Sequence, residues 1–191
     1  MEAPPSKGRL LPENAYRKLE PGEKYEPIVP ASSKMGEVTS WSLMWALILT
    51  AIFSAACVYI ALRAGSGIEA AIPIAVAAIF FGRMKKTKST ILENVIVQSI
   101  GQASGVVAAG AAFVIPALYI NQIPDVEWWQ IFLACFIGGS LGVVLIIPLR
   151  TYFVAERHGE LPFPEGTATT EILVSGESAG GGAGKILLSS F

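Results

Sequence analysis

Long uncharged stretches dominate the hydrophobic pattern of the chain. Residues 41–62 and 128–149 carry no charge, and at about 1.5 Å per residue each is long enough to cross a hydrocarbon core of about 30 Å. Residues 94–124 form a third uncharged stretch, which is longer than one crossing requires. The pattern therefore predicts three transmembrane helices, and Trp41 and Trp45 in the first are typical of a membrane interface.

A fourth apolar stretch, residues 68–82, is shorter, with Glu69 at its start and Pro73 inside it. As a helix it would reach only about 22 Å. Three interpretations stay open for it: a short span, a tilted span, or a segment that re-enters the membrane. Glu69 fits either the headgroup region or a functional position, because an ionisable group inside a membrane is costly unless it is paired, hydrated or used.

Basic residues set the predicted orientation. The loop after the short stretch carries Arg83, Lys85, Lys86 and Lys88, whereas the loop before residue 128 carries only Asp125 and Glu127. The positive-inside rule assigns the basic loop to the cytoplasm. If all four stretches cross, the N-terminal tail and residues 150–160 are also cytoplasmic and the Asp125 loop faces out. A re-entrant second stretch would instead place the tail outside.

The composition agrees with this pattern, since 52% of the residues are hydrophobic and 15% are charged, which is unusual for a soluble domain. The predicted fold class is all-α: a polytopic helical membrane protein with about four to five transmembrane helices and a segment broken by proline and glycine. We expect residues 1–40 to form an irregular aqueous tail and residues 41–178 the transmembrane region. Residues 179–191 are expected to form a glycine-rich connection and the start of a truncated further helix, so that the chain is the N-terminal portion of a longer protein.

Few residues offer catalytic, metal or nucleic-acid chemistry. A formal net charge of -1 gives no nucleic-acid signature. Cys57 and Cys135 lie inside apolar runs and are expected to be small buried hydrophobes. Neither an HExxH motif nor a Gly-x-Ser-x-Gly elbow occurs, so we expect no enzyme, no metal site and no cofactor. His158 is most simply a solvated loop residue, with a proton relay as the alternative.

The third stretch has one polar, small-residue face when it is drawn as a helix. That face consists of Asn94, Gln98, Gly101, Gln102, Gly105, Ala108, Ala109 and Ala112. It suits either contacts between helices or the lining of a substrate path. On the last stretch, Ala134, Gly138 and Gly142 form a small-residue ladder that lets another helix approach closely, which leaves a homo-oligomer open.

A proline-rich break, LPFPEGTATTEIL, occupies residues 161–173. Pro162 and Pro164 cannot continue a regular helix, but a new helix can begin with Pro164 or Glu165 in its first turn. Glu171, six residues after Glu165, falls on another part of that helix surface. Spacing alone fits equally a cytoplasmic turn before the next helix and a broken segment that lines a hydrated cavity.

The motif LPFPEGTATTEIL resembles the LPYPEGTACAEVL-type signature of the oligopeptide transporter (OPT) family, especially its prokaryotic branch, which is related to the yellow-stripe metal-chelate transporters. The resemblance runs from residue 27 to about residue 180 and includes four further segments, at 61–73, 89–105, 115–118 and 138–150. Thr169 and Thr170 stand where family members often have Cys-Ala, which argues against a thiol role there.

The resemblance implies a secondary transporter in the cell membrane, generally coupled to protons, for short peptides or peptide-like metal chelates. Its expected partners are the substrate, protons and the lipid bilayer. The candidate residues of the substrate and proton path are Glu165, Gly166, Thr167, Glu171, Asn94, Gln98 and Gln102. The alternative is an accessory or structural membrane subunit, or a truncated fragment that does not transport.

Overall fold

The computed structural model describes residues 11–85, 87–122 and 126–178, and these residues form helices and connecting segments without a strand. The predicted all-α fold class is confirmed. The predicted connection at 179–191, residues 1–10 of the predicted tail and Asp125 of the acidic loop lie outside the described residues. The helices are α1 (Ser40–Ala64), α2 (Ala71–Met84), α3 (Ile91–Ile120), α4 (Trp128–Thr151), which a π-helical turn extends over Tyr152–Glu156, and α5 (Pro164–Ser178).

Three helices in the described parts of the chain are long and apolar enough to cross a membrane. They are α1, α3 and the continuous helix Trp128–Glu156, whereas α2 is apolar but shorter. α1 contains the uncharged stretch 41–62 and the helix Trp128–Glu156 contains 128–149, whereas the stretch 94–124 overlaps α3 and continues past its end at Ile120. The prediction of a helical membrane protein is therefore confirmed.

Local sequence signals define where α1 and α3 begin. Thr39 accepts a hydrogen bond from the Ser42 backbone N–H and Thr90 from that of Glu93, while the Ser42 and Glu93 side chains bond back. These are capping boxes, which satisfy N–H groups that a helix start otherwise leaves without a partner. At the other end of α1, Gly65 adopts φ +66°, a left-handed conformation that ends helices.

α1 and α3 run parallel and begin at the same end of the molecule. Near their starts the Thr39 hydroxyl donates to Glu93 at 2.6 Å, and further along Thr50 donates to the Ile100 carbonyl oxygen at 3.2 Å. The loop with the lysines lies between α2 and α3 at that end, which we call the basic end. The tail before α1 and the basic loop therefore share one end of the bundle.

α2 returns from the middle of α3 to the basic end. Its first turn packs Ile74 on Gly101, and its last turn places Gly82 against Asn94. Before it, the connection at residues 65–70 passes Gly105, where a Cβ would lie 3.3 Å from the Ile68 carbonyl oxygen. Gly105 is near the midpoint of α3. The chain thus leaves α1 at the far end and comes back through a broken segment, of which only the second half is helical.

α5 is a second half-helix and lies along α2. Leu173 packs with Ala75 and Ile79, and the Arg83 guanidinium donates to the Gly176 carbonyl oxygen at 2.9 Å. Because Glu165 at the start of α5 contacts Glu69 just before α2, the two helices run in the same direction. Both begin near the middle of α3 and end at the basic end.

α4 differs from the other helices in its burial. None of its side chains is buried among the described residues, and a Cβ added at Gly138 or Gly142 would meet nothing within 4 Å in them. The small-residue ladder on this helix therefore faces open space in the part of the chain that the structure describes. Its role in helix contacts or in a homo-oligomer stays a prediction.

Replacing Gly101 with alanine is expected to destabilise the contact between α2 and α3. The added Cβ would lie 2.6 Å from the Ile74 Cγ2 atom, and Ile74 is fully buried, so overpacking should cost about 1 to 3 kcal/mol. Gly110→Ala is the matched control on the same helix, since its Cβ meets nothing within 4 Å. Thermal unfolding in detergent should show a lower Tm for Gly101→Ala alone; equal Tm values would contradict this packing.

Candidate functional site

The starts of α2 and α5 lie together, so that two breaks of the chain meet. Ala70 at the start of α2 provides no side-chain cap, Pro162 precedes α5, and Pro164 is its first residue. The first backbone N–H groups of each helix therefore point outward along the helix axis. The positive end of the helix dipole lies at the same place. Such paired helix starts can hold negatively charged groups.

A carboxyl pair, Glu69 and Glu165, lies at this meeting point. Their side chains lie close enough to interact. Two ionised carboxylates in such proximity repel, whereas a proton on one of them removes the repulsion and lets it donate to the other. Glu69 is exposed and Glu165 is partly buried. The pair can therefore hold one proton and remains reachable from outside the packed helices.

The sequence indicated only half of this pair. The proline break indicates Glu165, whereas the sequence pattern around Glu69 fits the headgroup region and a functional position equally. The signal at Glu69 was an acidic residue at the start of an apolar segment that also contains Pro73. That combination is typical of an interrupted span whose charged residue faces protein or a hydrated cavity.

The predicted polar face of α3 is divided among three different contacts. Gly105 packs on the backbone of Ile68 to Ala70, next to the carboxyl pair. The Gln98 side-chain amide donates to Gln102 at 2.6 Å, so these two amides partly satisfy each other. Asn94 is buried and accepts a hydrogen bond from Ser89 at 3.1 Å.

Only part of that face therefore lies beside the carboxyl pair. Asn94 lies against Gly82, at the end of α2 opposite Glu69. Gln98 and Gln102 lie on the intervening turns of α3 and face each other. The structure brings Gly105 to the breaks, and it does not bring Asn94 there.

The candidate site residues on α5 also lie in different surroundings. Gly166 is exposed, and the backbone N–H of Thr167 donates to the Phe163 carbonyl oxygen at 3.0 Å, which closes the first turn. Glu171 accepts a hydrogen bond from the Tyr16 hydroxyl rather than joining the carboxyl pair. The structure therefore places Glu165 and Glu171 in different surroundings, one beside α2 and the other beside the N-terminal tail.

Two buried hydroxyl groups on α3 and α5 remain without a hydrogen-bond partner in the part of the chain that the structure describes. They belong to Ser104, which is 2% exposed, and Thr169, which is 5% exposed. Buried polar groups are nearly always paired with protein or ordered water. These hydroxyls are free to bind a water molecule or a polar ligand, and the sequence analysis did not select either for such a role.

The basic end is held together by Glu93. It is 2% exposed, and its carboxylate pairs with Lys85 at 2.7 Å and accepts from Thr39 at 2.6 Å and from the Thr90 backbone at 3.1 Å. These contacts join the starts of α1 and α3 to the end of α2. Glu93 thus acts in the packing of these three helices.

The N-terminal residues contact the turn that follows α4. The His158 Nε2 atom donates to the Asn14 carbonyl oxygen at 2.8 Å, its ring lies 5.4 Å from that of Tyr25, and Lys18 forms an ion pair with Glu160. His158 is therefore partly buried and partnered, which differs from the solvated position that the sequence suggested. We call residues 11–25 the strap.

The Lys18 and Arg157 side chains lower the pKa of the Glu160 carboxyl to about 2. The ordinary value is about 4.3. Because the pKa in the folded protein is lowered, this contact stabilises the docked strap above pH ~4 and is lost as the pH falls toward 2. Glu160 thus keeps its charge throughout the physiological range.

Comparisons with known proteins address the family. A family model described as "OPT oligopeptide transporter protein" matches residues 37–191. The chain is 38% identical over 127 residues to a Haemophilus influenzae protein named "Putative oligopeptide transporter"; the match covers 66% of this chain and 19% of that relative. The chain thus spans about a fifth of the relative's length, and no solved structure matches it. With the family model matching most of its length, the chain belongs to the OPT oligopeptide transporter family.

Proposed function

We propose that the chain is part of a multi-pass transporter in the cell membrane that moves short peptides, or peptide-like metal chelates, in symport with protons. The observation that carries the proposal is the proximity of two carboxyl groups, those of Glu69 and Glu165, at the meeting point of two half-helices. Family membership supports transport of peptides. The carboxyl pair supports the proton as the coupled ion.

The pair links protonation to the position of two separate segments. With one proton bound, Glu69 and Glu165 can share a hydrogen bond, which would hold together the segments before α2 and α5. Without that proton, two like charges would lie side by side and repel. Proton binding therefore favours the arrangement in which α2 and α5 start together. A proton moving through a membrane potential supplies about 2.3 kcal/mol per 100 mV, which can drive such a cycle.

The surroundings of the pair suit a zwitterionic substrate. The open N-terminal ends of α2 and α5 can bind a carboxylate, while a deprotonated Glu69 or Glu165 can pair with an ammonium group or a metal in a chelate. The Ser104 and Thr169 hydroxyls lie on the neighbouring helices α3 and α5. Neither has a hydrogen-bond partner among the residues that the structure describes, so both can form hydrogen bonds with neutral groups. A short peptide carries both kinds of charged terminus.

Reconstituted protein, produced from its complete gene, is expected to accumulate labelled short peptides in liposomes when a proton gradient is imposed. A protonophore, which collapses the gradient, should reduce uptake to passive equilibration. A parallel series with a metal-chelating peptide, with and without its metal, distinguishes the two substrate classes. Peptide uptake that is equal with and without the gradient would contradict proton coupling, and absence of uptake in every series would contradict transport.

An accessory membrane subunit is the second candidate function. It rests on α4, whose side chains are all at least partly exposed among the described residues and whose small-residue ladder could receive another helix. Under this alternative, the reconstituted protein alone gives no uptake but co-purifies in fixed ratio with another membrane protein. The liposome uptake experiment distinguishes a transporter from an accessory subunit.

A further inference from the structure

α5 is packed between α2 on one face and the strap on another. Leu173 and Gly176 contact α2. Val174 packs with Leu11 of the strap and Ile91 of α3, and Glu171 accepts a hydrogen bond from Tyr16 of the strap. A movement of α5 away from the strap therefore has to break these contacts.

The strap also holds the turn that leads into α5. Lys18 pairs with Glu160, and the His158 ring donates to the Asn14 carbonyl oxygen. Gly159, at φ +73°, lies so close to the strap backbone that a Cβ would be 2.6 Å from the Arg17 carbonyl oxygen. A single short segment thus contacts α5 and its preceding turn together.

The strap keeps its own shape through an internal ion pair. Arg17 forms two hydrogen bonds of 2.8 Å with the Glu23 carboxylate. This bidentate pair closes residues 17–23 on themselves and does not involve α5 or the turn. The strap can therefore leave and return as a preformed unit. Its contacts with the rest of the protein include the buried Leu11 side chain and polar bonds that are exposed or partly buried.

We propose that the strap is a latch on α5: docked, it holds α5 against α2, and it undocks when α5 moves during transport. The inference rests on the proposed transport function. Alternating access requires one group of helices to move relative to another, and α5 is a short helix that follows a proline-containing connection. Elements that move in such cycles are held by weak, local contacts, and the strap supplies contacts of that kind.

A cleavable cross-link between strap and turn tests the latch. Cys57 and Cys135 are first replaced by alanine, and cysteines are then introduced as Lys18→Cys with Glu160→Cys and joined by a short disulfide-cleavable linker. Peptide uptake is expected to fall about tenfold or more and to return on reduction, while equilibrium binding of the peptide is retained. The matched control, Arg17→Cys with Glu23→Cys, is linked within the strap and should transport at the unlinked rate. Equal transport by the linked Lys18/Glu160 protein before and after reduction would overturn the latch.

Hydrogen exchange provides a readout that does not depend on transport. Gly159→Ala should displace the strap and raise the exchange rate of the α5 amides about tenfold. Gly22→Ala is the control, since Gly22 also has positive φ but a Cβ there meets nothing within 4 Å. Unchanged α5 exchange in Gly159→Ala would overturn the latch, even if wild-type liposomes show uptake. Absence of uptake in wild-type liposomes would instead count against the proposed function.

Discussion

Glu165→Gln is expected to abolish the proton dependence of peptide uptake. Glutamine can still hydrogen-bond to Glu69, but it cannot bind and release a proton. A gradient of about one pH unit is worth about 1.4 kcal/mol per proton, so wild-type protein should accumulate peptide up to about tenfold for each proton coupled. The variant should only equilibrate peptide across the membrane, at the same rate with and without the gradient. Uptake into liposomes over a range of imposed gradients measures this difference.

Two further substitutions test whether the carboxyl pair is the coupling site. Glu69→Gln should reproduce the loss of proton dependence, because it removes the other carboxyl group of the pair. Glu177→Gln is the control on the same helix, since Glu177 is exposed, and it should leave coupling intact. Unchanged proton dependence in both Glu69→Gln and Glu165→Gln would exclude the carboxyl pair as the coupling site. Glu171→Gln is expected to affect coupling less, because Glu171 binds Tyr16 of the strap.

Lys85→Met is expected to lower the stability of the helix bundle by about 3 kcal/mol, because it leaves the buried Glu93 carboxylate without its cation. The Lys85 side chain is 24% exposed and that of Glu93 is 3% exposed, which places the cost at the lower end of the range for buried pairs. Thermal unfolding in detergent should show a clearly lowered Tm. Lys88→Met removes an exposed lysine of the same loop and should change the Tm little. Similar shifts in both variants would mean that the pair contributes no specific stability.

The long helices could be predicted because the bilayer imposes their length. The uncharged stretch 41–62 lies within Ser40–Ala64, and 128–149 lies within Trp128–Thr151. The stretch 94–124 overlaps Ile91–Ile120 and continues past its end. A backbone in lipid has to satisfy its own hydrogen bonds, so an uncharged stretch of this length leaves little choice other than a helix. The capping boxes at Thr39 and Thr90 were not predicted, and the third uncharged stretch begins three residues after the start of α3.

The carboxyl pair could not be predicted in the same way. Glu69 and Glu165 are far apart in sequence, and their proximity depends on α5 lying along α2 and on both helices starting near Gly105. Helix periodicity describes one segment at a time and gives no information on which breaks meet. The resemblance to the OPT family drew attention to Glu165, whereas only the packing identified its partner.

The polar face of α3 illustrates a second limit. Periodicity grouped Asn94, Gln98 and Gln102 correctly on one side of the helix, but it could not distinguish amides that pair with each other from amides that face a substrate. In the structure Gln98 donates to Gln102. Their role in a substrate path stays a prediction, and Gly105 is the member of that face with direct contact to the breaks.

The contacts of the strap could be predicted from the sequence even less than the carboxyl pair. It contains prolines and charges without apolar periodicity, so its residues gave no signal of packing. The contacts of Tyr16 with Glu171 and of His158 with Asn14 join residues that are distant in sequence. Such contacts depend on tertiary placement, and single-segment patterns do not encode it.

The short length of α2 has a consequence for how the protein enters the membrane during synthesis. A helix of 14 residues is about 21 Å long, which makes it a weak candidate for insertion by itself. Its buried residues face α3, through Ile74 on Gly101, and α5, through Ile79 on Gly176. Stable insertion of α2 therefore has to wait until α3 has been synthesised. We expect α1 to α3 to insert as one unit at that stage, and α5 can pack on α2 only after α4 has been synthesised.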